Sequence, residues 1–474
     1  MLFCSLQYLV FFTGVFVIHW LLPWRQARVW LLLAASLFFY ASWNEWLALV
    51  VGVSSVIDYL LARGMDRFSS HRVRKLLLFI SLASNLGLLC YFKYANFFLQ
   101  SLEAALHRAG GTASLPLLRV ILPIGISFYT FEAINYTVDV YRRRIRAERN
   151  LAHFVLFITF FPHLVAGPIV RARDFLPQIA RPKRWSWPRA RLGAEYLILG
   201  LVKKLAVADR MAMMADPVFA NPGSYGTAAI WLAALAYALQ IYCDFSGYTD
   251  MALGSAHLLG YKLAINFDMP YSAANVSEFW RRWHISLSTW LRDYLFIPLG
   301  GSRGSEWQTT RNLMLTMILG GLWHGANWTF IVWGMVHGSL LVGHRAFRRW
   351  CGPRPALRSV LESVPGTAVR IAVTFLTVTF CWVLFRATTF EAAYVMFGRM
   401  LSWRAGLPGP LAGVSLWWTM AVMAVCHMVA RNGGWRRVVS RTPSPVLGFG
   451  YAGALMIALT LAPEGAKGFI YFQF

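Results

Sequence analysis

Long apolar runs alternate with short basic loops along this chain, and that alternation predicts a polytopic, all-α membrane protein. Leu6–Leu22 is a first crossing, and the loop Pro23–Arg28 after it carries two arginines. Val29–Trp43 and Trp46–Ala62 are two apolar runs split by Asn44-Glu45, and Arg63–Lys75 is again basic. Leu76–Phe92 leads out, and Val120–Val138 leads back to the block Arg142, Arg143, Arg144, Arg146 and Arg149. If the basic loops are cytoplasmic, the N-terminus lies outside and Asn44-Glu45 is an external turn. Further apolar helices are expected at Val369–Leu384, Leu416–Val429 and Val446–Leu461.

Three stretches depart from simple crossings. Residues 151–170 are apolar (Phe154, Leu156, Phe157, Phe160, Phe161) but contain Pro162, His163, Gly167 and Pro168. They lie between two basic blocks, so they are expected to enter the membrane and turn back. Non-helical backbone at that depth requires cover by protein or a water-filled cavity. The run Asn312–His344 lies between Arg311 and the cluster Arg345, Arg348, Arg349 and holds 33 residues, where one crossing needs about 20. Its glycine-rich centre allows a break near His324, with both ends cytoplasmic; one long tilted helix accounts for the same residues. Between these, Asn275–Ile297 reads as one amphipathic interfacial helix. Asn275 and Glu278 have capping-box spacing. Trp280, Trp283, Leu287, Trp290, Leu291 and Tyr294 recur at helical spacing, with Arg281, Arg282, Arg292 and Asp293 mainly off that stripe.

Composition strengthens the membrane reading. Of 474 residues, 58% are apolar and 14% charged, against about half and about a quarter in a soluble domain. Apolar runs recur from residue 4 to the C-terminus, so residues 1–474 read as a single integral membrane domain. Met1–Leu9 lacks a positive residue and no small-residue cleavage site follows, so the first run is expected to remain as a helix. The net charge of +25 falls mostly in short loops, a pattern that suits anionic lipid headgroups and argues against nucleic acid. Six scattered cysteines without a C-x-x-C imply no disulfide framework.

Candidate chemistry centres on His324, in Gly320-Gly-Leu-Trp323-His324-Gly-Ala-Asn327-Trp328. A titratable ring is costly in hydrocarbon and marks a functional residue. The glycines permit close approach, and Trp323 and Trp328 can wall a pocket. The alternative is a histidine packed and bonded to a neighbouring helix. His284, one turn after Trp280, is a second candidate or an interfacial ring. Asp244 and Asp250 lie between two apolar runs; they could orient a histidine or serve a proton path, or mark a membrane-edge turn. Arg281, Arg282, Lys203 and Lys204 can attract phosphates or lipid headgroups. Backbone N–H groups near Gly320-Gly321 are candidates for an oxyanion site. His324, His337 and His344 lack metal-ligand spacing, so no metal is expected and the last two read as structural. Arg386 and His427 read as interfacial anchors. P-loop and G-x-S-x-G signatures are absent. These residues leave acyl transfer and transport, as a transporter or channel, both open.

A resemblance decides between them. Gly321-Leu-Trp-His324-Gly-Ala-Asn-Trp328 resembles the signature of the membrane-bound O-acyltransferase (MBOAT) family, and Trp280-Arg-Arg-Trp-His284 through Tyr294 resembles its second motif. Phe160-Phe-Pro162-His-Leu-Val-Ala-Gly-Pro-Ile169, Asp244-Phe-Ser-Gly-Tyr-Thr-Asp250-Met-Ala-Leu-Gly254, Ile297-Pro-Leu-Gly-Gly-Ser-Arg303, Gly125–Phe131 with Asp139-Val-Tyr-Arg142, and Phe469–Phe474 match as well. The likeness covers nearly the whole chain and fits the bacterial alginate-acetylating branch better than the D-alanyl-transferring one. It implies a helical bundle with re-entrant segments around a central tunnel, with His324 catalytic and His284 its partner. It further implies acetyl-CoA or another cytoplasmic acyl carrier as donor, with no permanently bound cofactor. An exported polysaccharide such as alginate would be O-acetylated at the bacterial inner membrane. A periplasmic SGNH-type acetyltransferase and the polysaccharide export machinery would be partners.

Overall fold

The computed structural model describes residues 1–112, 114–165, 167–410, 413–462 and 468–470. Helices make up the regular structure of these residues, with one isolated bridge between Tyr225 and Leu407. Among the described residues, six helices are long and apolar enough to cross a membrane: Glu45–Arg67, His71–Arg108, Thr227–Leu258, Val364–Arg386, Gly413–Ala430 and Ser444–Leu461. Leu6–Leu21 and Leu151–Leu164 are shorter apolar helical stretches. The chain forms two compact units, Met1–Leu197 with Thr249–Ala264, and Ile198–Tyr248 with Ile265–Phe474.

In the first unit the split at Asn44 is real. Arg25–Ala41 ends before it, and the Asn44 side chain caps Glu45–Arg67 by accepting from the Leu47 N–H at 3.1 Å. The run expected at Leu76–Phe92 is longer than its apolar core, because a π-helical turn at Cys90–Tyr94 carries the helix on to Arg108. The run expected at Val120–Val138 is helical only from Ile126. Gly125 precedes that helix with φ 75°, and a Cβ there would overlap the Leu164 carbonyl. Only glycine fits that turn.

The stretch 151–170 is broken, as its prolines and glycines suggest. Leu151–Thr159 stops, Phe161–Leu164 adds one turn, and the next helix starts at Ala172. Pro162 sits in the first turn, where its missing N–H has no intrahelical partner to lose. Phe154, Phe157, Phe160 and Phe161 are fully buried, so protein covers the broken backbone. Glu132 fastens it: its Oε1 accepts from the Val170 N–H at 2.8 Å and lies 3.2 Å from His163 Nδ1, with both side chains buried. The Asn135 amide adds a bond to the Val170 carbonyl at 2.9 Å. A second buried cluster joins two spans: Asp58 accepts from Ser81 Oγ at 2.6 Å and Asn85 Nδ2 at 2.8 Å.

In the second unit the run around His324 is broken too, which decides against one long tilted helix. Glu306–His324 and Trp328–Cys351 form a hairpin with a three-residue turn. Ser305 and Gln308 make a complete capping box at its start, and Asn327 caps the second arm by accepting from the Thr329 N–H at 3.0 Å. Glycines let the arms touch: a Cβ on Gly321 would overlap the Phe330 carbonyl, and one on Gly334 the Met317 carbonyl. At the open end Glu306 pairs with Arg345 at 3.2 Å and Arg349 at 2.7 Å, so both ends lie together. The expected anchors Arg386 and His427 are instead engaged in protein. Arg386 pairs with Asp216 at 3.1 Å, and His427 is buried with Nδ1 2.9 Å from the Met423 carbonyl. An ion pair and a backbone contact inside the unit thus hold these side chains.

Two substitutions test these contacts by thermal unfolding in detergent. Glu132→Ala strands the Val170 N–H and His163, and loses about 1–3 kcal/mol, the cost of a buried unsatisfied group; an unchanged midpoint removes the fastening role. Gly334→Ala drives a methyl into the Met317 carbonyl and lowers the midpoint by an amount set by overpacking, about 1–3 kcal/mol. A Gly334→Ala protein as stable as wild type means the arms are not in contact there.

Candidate active site

The expected single helix at Asn275–Ile297 is two helices and a π-helical turn: Val276–Arg282, Ile285–Leu291 and Arg292–Phe296. Asn275 accepts from the Glu278 N–H at 2.8 Å, while Glu278 reaches back to the Ala274 N–H at 3.0 Å, one residue beyond the capping-box partner. The break falls on His284, which has φ 41° and ψ 55°. A side chain larger than glycine's in that region is strained and needs outside support. Asn266 supplies it. Its carbonyl accepts from the Ile285 N–H at 2.9 Å, and its Oδ1 accepts from the Ser286 N–H at 3.2 Å and hydroxyl at 2.6 Å. His284 is therefore not an interfacial ring: it is 0% exposed.

His324 is the last helical residue of the first hairpin arm and 4% exposed. Its ring centroid lies 5.1 Å from Trp323, 5.2 Å from Trp333, 5.2 Å from Phe385 and 6.4 Å from His284. His284 in turn meets Phe245 edge-on at 4.7 Å and Trp323 at 5.9 Å. Two histidines forty residues apart thus share one aromatic enclosure, each placed by a helix interruption. A third joins them. His337, expected to be structural near the end of its helix, is 0% exposed, accepts from the Trp280 indole N–H at 3.3 Å and lies 4.6 Å from Trp333. The signal was its spacing: Trp333 and His337 are four apart on one helix face.

Other candidates divide clearly. Trp323 is buried against both site histidines, Trp280 holds His337, and Trp328 is 51% exposed. Asn327 is committed to the turn, capping Thr329 and donating to the Thr388 carbonyl at 3.0 Å. Arg282 is held by Glu278 at 3.0 Å and Asp268 at 3.1 Å, while Arg281 is exposed and bonds Ser277 at 3.2 Å. Asp244 and Asp250 do not form a membrane-edge turn: both lie inside the continuous helix Thr227–Leu258, with Asp244 buried and Asp250 half-buried. Asp244 lies 2.6 Å from Lys204 Nζ and accepts from the Ile470 N–H at 2.7 Å; Lys204 also meets Asp209 at 2.9 Å. Lys204 is thus a buried counter-ion, and Lys203 lies with its Nζ 5.8 Å from the Tyr242 ring centroid. Gly320 and Gly321 lie within the helix, whose ladder engages their N–H groups, so no oxyanion site forms from them. Among the described residues no three His, Cys, Asp or Glu side chains converge as a metal site.

Two buried histidines thus meet at the tip of a hairpin, in a chain of apolar spans. The profile of the membrane-bound O-acyltransferase family matches residues 54–376. The chain is 43% identical over 411 residues to the probable alginate O-acetylase AlgI of Azotobacter vinelandii, covering 85% of this chain and 78% of that protein. It is 38% identical over 409 residues to the peptidoglycan O-acetyltransferase of Helicobacter pylori, covering 81% and 74%. It is 31% identical over 284 residues to the teichoic acid D-alanyltransferase of Streptococcus thermophilus, covering 55% and 68%. The chain therefore belongs to the membrane-bound O-acyltransferase family and is a multi-pass membrane O-acyltransferase.

The Lys204 cluster gives a stability test. Lys204→Met leaves Asp209 and Asp244 buried without their cation and costs about 3–5 kcal/mol, read as a lowered unfolding midpoint. Lys204→Met unfolding at the wild-type temperature rules out a stabilising ion triad.

Proposed function

We propose that this enzyme takes an acetyl group from a cytoplasmic thioester, acetyl-CoA or another acyl carrier. The group passes across the bacterial inner membrane for O-acetylation of an exported polysaccharide such as alginate. The observation that carries this reading is the enclosed pair His284–His324, 6.4 Å apart at the hairpin tip. Its first arm has 19 residues, so the tip stands up to about 28 Å from the basic open end. That length is close to the roughly 30 Å hydrocarbon core, and it suits a centre served from both sides. The alginate and peptidoglycan relatives, both named for O-acetylation, share more identity with this chain than the D-alanyl-transferring one, which favours acetyl.

His324 acts as the general base. It takes the proton of an acceptor hydroxyl as that oxygen attacks the thioester carbonyl. The C–S bond then breaks, and the imidazolium returns the proton to the departing thiolate, leaving ester and thiol. A neutral imidazole suits this duty near pH 7. His284 orients the donor or passes the proton. Trp323 and Trp328 line the approach, with Asn327 fixing the turn beside it; Arg281 is the exposed charge suited to the donor's phosphates. In this reading the acceptor hydroxyl belongs to a periplasmic SGNH-type acetyltransferase, which works with the export machinery and passes the acetyl group on to a sugar hydroxyl of the polysaccharide.

Detergent-purified protein given labelled acetyl-CoA and an acceptor membrane fraction tests the reading. Wild type releases CoA and transfers label. His324→Ala, with an unchanged unfolding midpoint, loses about 10²–10⁴-fold of that rate, the range for a general base. Undiminished transfer by His324→Ala removes His324 from the chemistry. Movement of a compound across proteoliposomes without CoA release points to transport instead.

A further inference from the structure

We propose that His337 is a positioning residue for the His284–His324 pair, acting through its hydrogen bond to Trp280; this rests on the acetyl-transfer reading above. Trp280 belongs to the short helix Val276–Arg282 that leads directly into the strained His284. His337 belongs to the hairpin arm that leaves His324. The bond from Trp280 Nε1 to His337 Nδ1, at 3.3 Å, therefore ties the segment before one site histidine to the segment after the other.

Ring contacts close the circuit. His337 lies 4.6 Å from Trp333; Trp333 stands edge-on to His324, 5.2 Å away at 88°, and 5.7 Å from Trp280. His324 then faces His284 at 6.4 Å, and Arg281–Trp283 lead back along the chain to Trp280. Aromatic packing contributes burial and tolerates small rotations and slides. A hydrogen bond has a direction and resists them. Because His337 Nδ1 accepts, the neutral ring carries its proton on Nε2, so the bond also fixes the tautomer. Trp280 is half-buried while His337 and Trp333 are at 0% and 1% exposure, so the tie is anchored on the buried side. The spacing of the two catalytic-site rings is thereby set by a contact that touches neither of them.

Three variants separate orientation from space filling, in the labelled acetyl-CoA assay with His324→Ala alongside. His337→Phe keeps a ring and removes the acceptor; kcat falls about tenfold or more, within the roughly 10²-fold cost of a misplaced catalytic group. KM for acetyl-CoA and the unfolding midpoint stay at wild-type values. His337→Asn restores an acceptor near the Nδ1 position and recovers most of the rate. Trp280→Phe reproduces the loss, and pairing it with His337→Phe adds nothing further, as a shared interaction requires. If His337→Phe does not fold, Trp280→Phe and its pairing with His337→Asn give the same readout. Wild-type kcat in both Phe variants, equal defects in His337→Asn and His337→Phe, or additive losses each overturn the positioning role. A wild type that transfers no acetyl group overturns the functional reading as well, whereas normal wild-type transfer with unaffected variants overturns the positioning role alone.

Discussion

A helix that stops inside an apolar layer leaves backbone amides and carbonyls that no water can reach. This enzyme stops helices there repeatedly, and its site depends on how each interruption is satisfied. At the hairpin tip Asn327 bonds the Thr329 N–H and the Thr388 carbonyl. At His284 the loop residue Asn266 supplies a carbonyl and a side-chain oxygen to two successive N–H groups and a hydroxyl. In the first unit Glu132 and Asn135 serve the Val170 N–H and carbonyl beyond the break at Phe160. Each interruption also carries a histidine: His324, His284 or His163.

Charge in the spans follows a related rule. Asp58 is bonded by Ser81 and Asn85, and Lys204 sits between Asp209 and Asp244. Such groups stay buried because partners replace the water they lose. An intramembrane carboxylate therefore identifies a function only when its partners do not already account for it. Asp244 fails that criterion as a substrate ligand: one oxygen meets Lys204 and the other the Ile470 N–H. The aromatic enclosure of His284 and His324 is of another kind, with large rings as the neighbours that define it.

Much of this was legible in the chain. Glycine, proline and excess length betrayed the breaks near Pro162 and His324, and the apolar runs located five of the six spans found among the described residues; the sixth, Thr227–Leu258, read as two runs because Asp244 and Asp250 interrupt its apolar pattern. The break at His284 was hidden because no glycine or proline marks it. A histidine takes the left-handed conformation there, and its support, Asn266, lies outside the amphipathic stripe that suggested a continuous helix. The true start of the helix at Ile126 was equally invisible, since it depends on Gly125 meeting the Leu164 carbonyl, 39 residues on. His337 read as structural because its partner, Trp280, is 57 residues away. Periodicity reports one helix at a time, so contacts that join two helices fall outside it.

Within the site two physical tasks fall to different groups. Trp323, Trp333, Phe385 and Phe245 keep water from the imidazoles. Exclusion of water protects a thioester from hydrolysis and strengthens each electrostatic contact made in the transition state. Such walls act by area and shape and supply little direction. Polar ties with direction lie at the edges: Asn266 behind His284, Asn327 beyond His324 and, in the positioning role proposed above, His337 with Trp280 between the two segments. In the proposed reaction, a base that must first meet a hydroxyl and then return its proton to sulfur needs both conditions at once. Water exclusion without orientation gives a dry cavity with a wandering ring, and orientation without exclusion gives a thioester open to hydrolysis. Placing each histidine at a helix break, with its polar tie at the rim and its ring among aromatics, meets both with one local device.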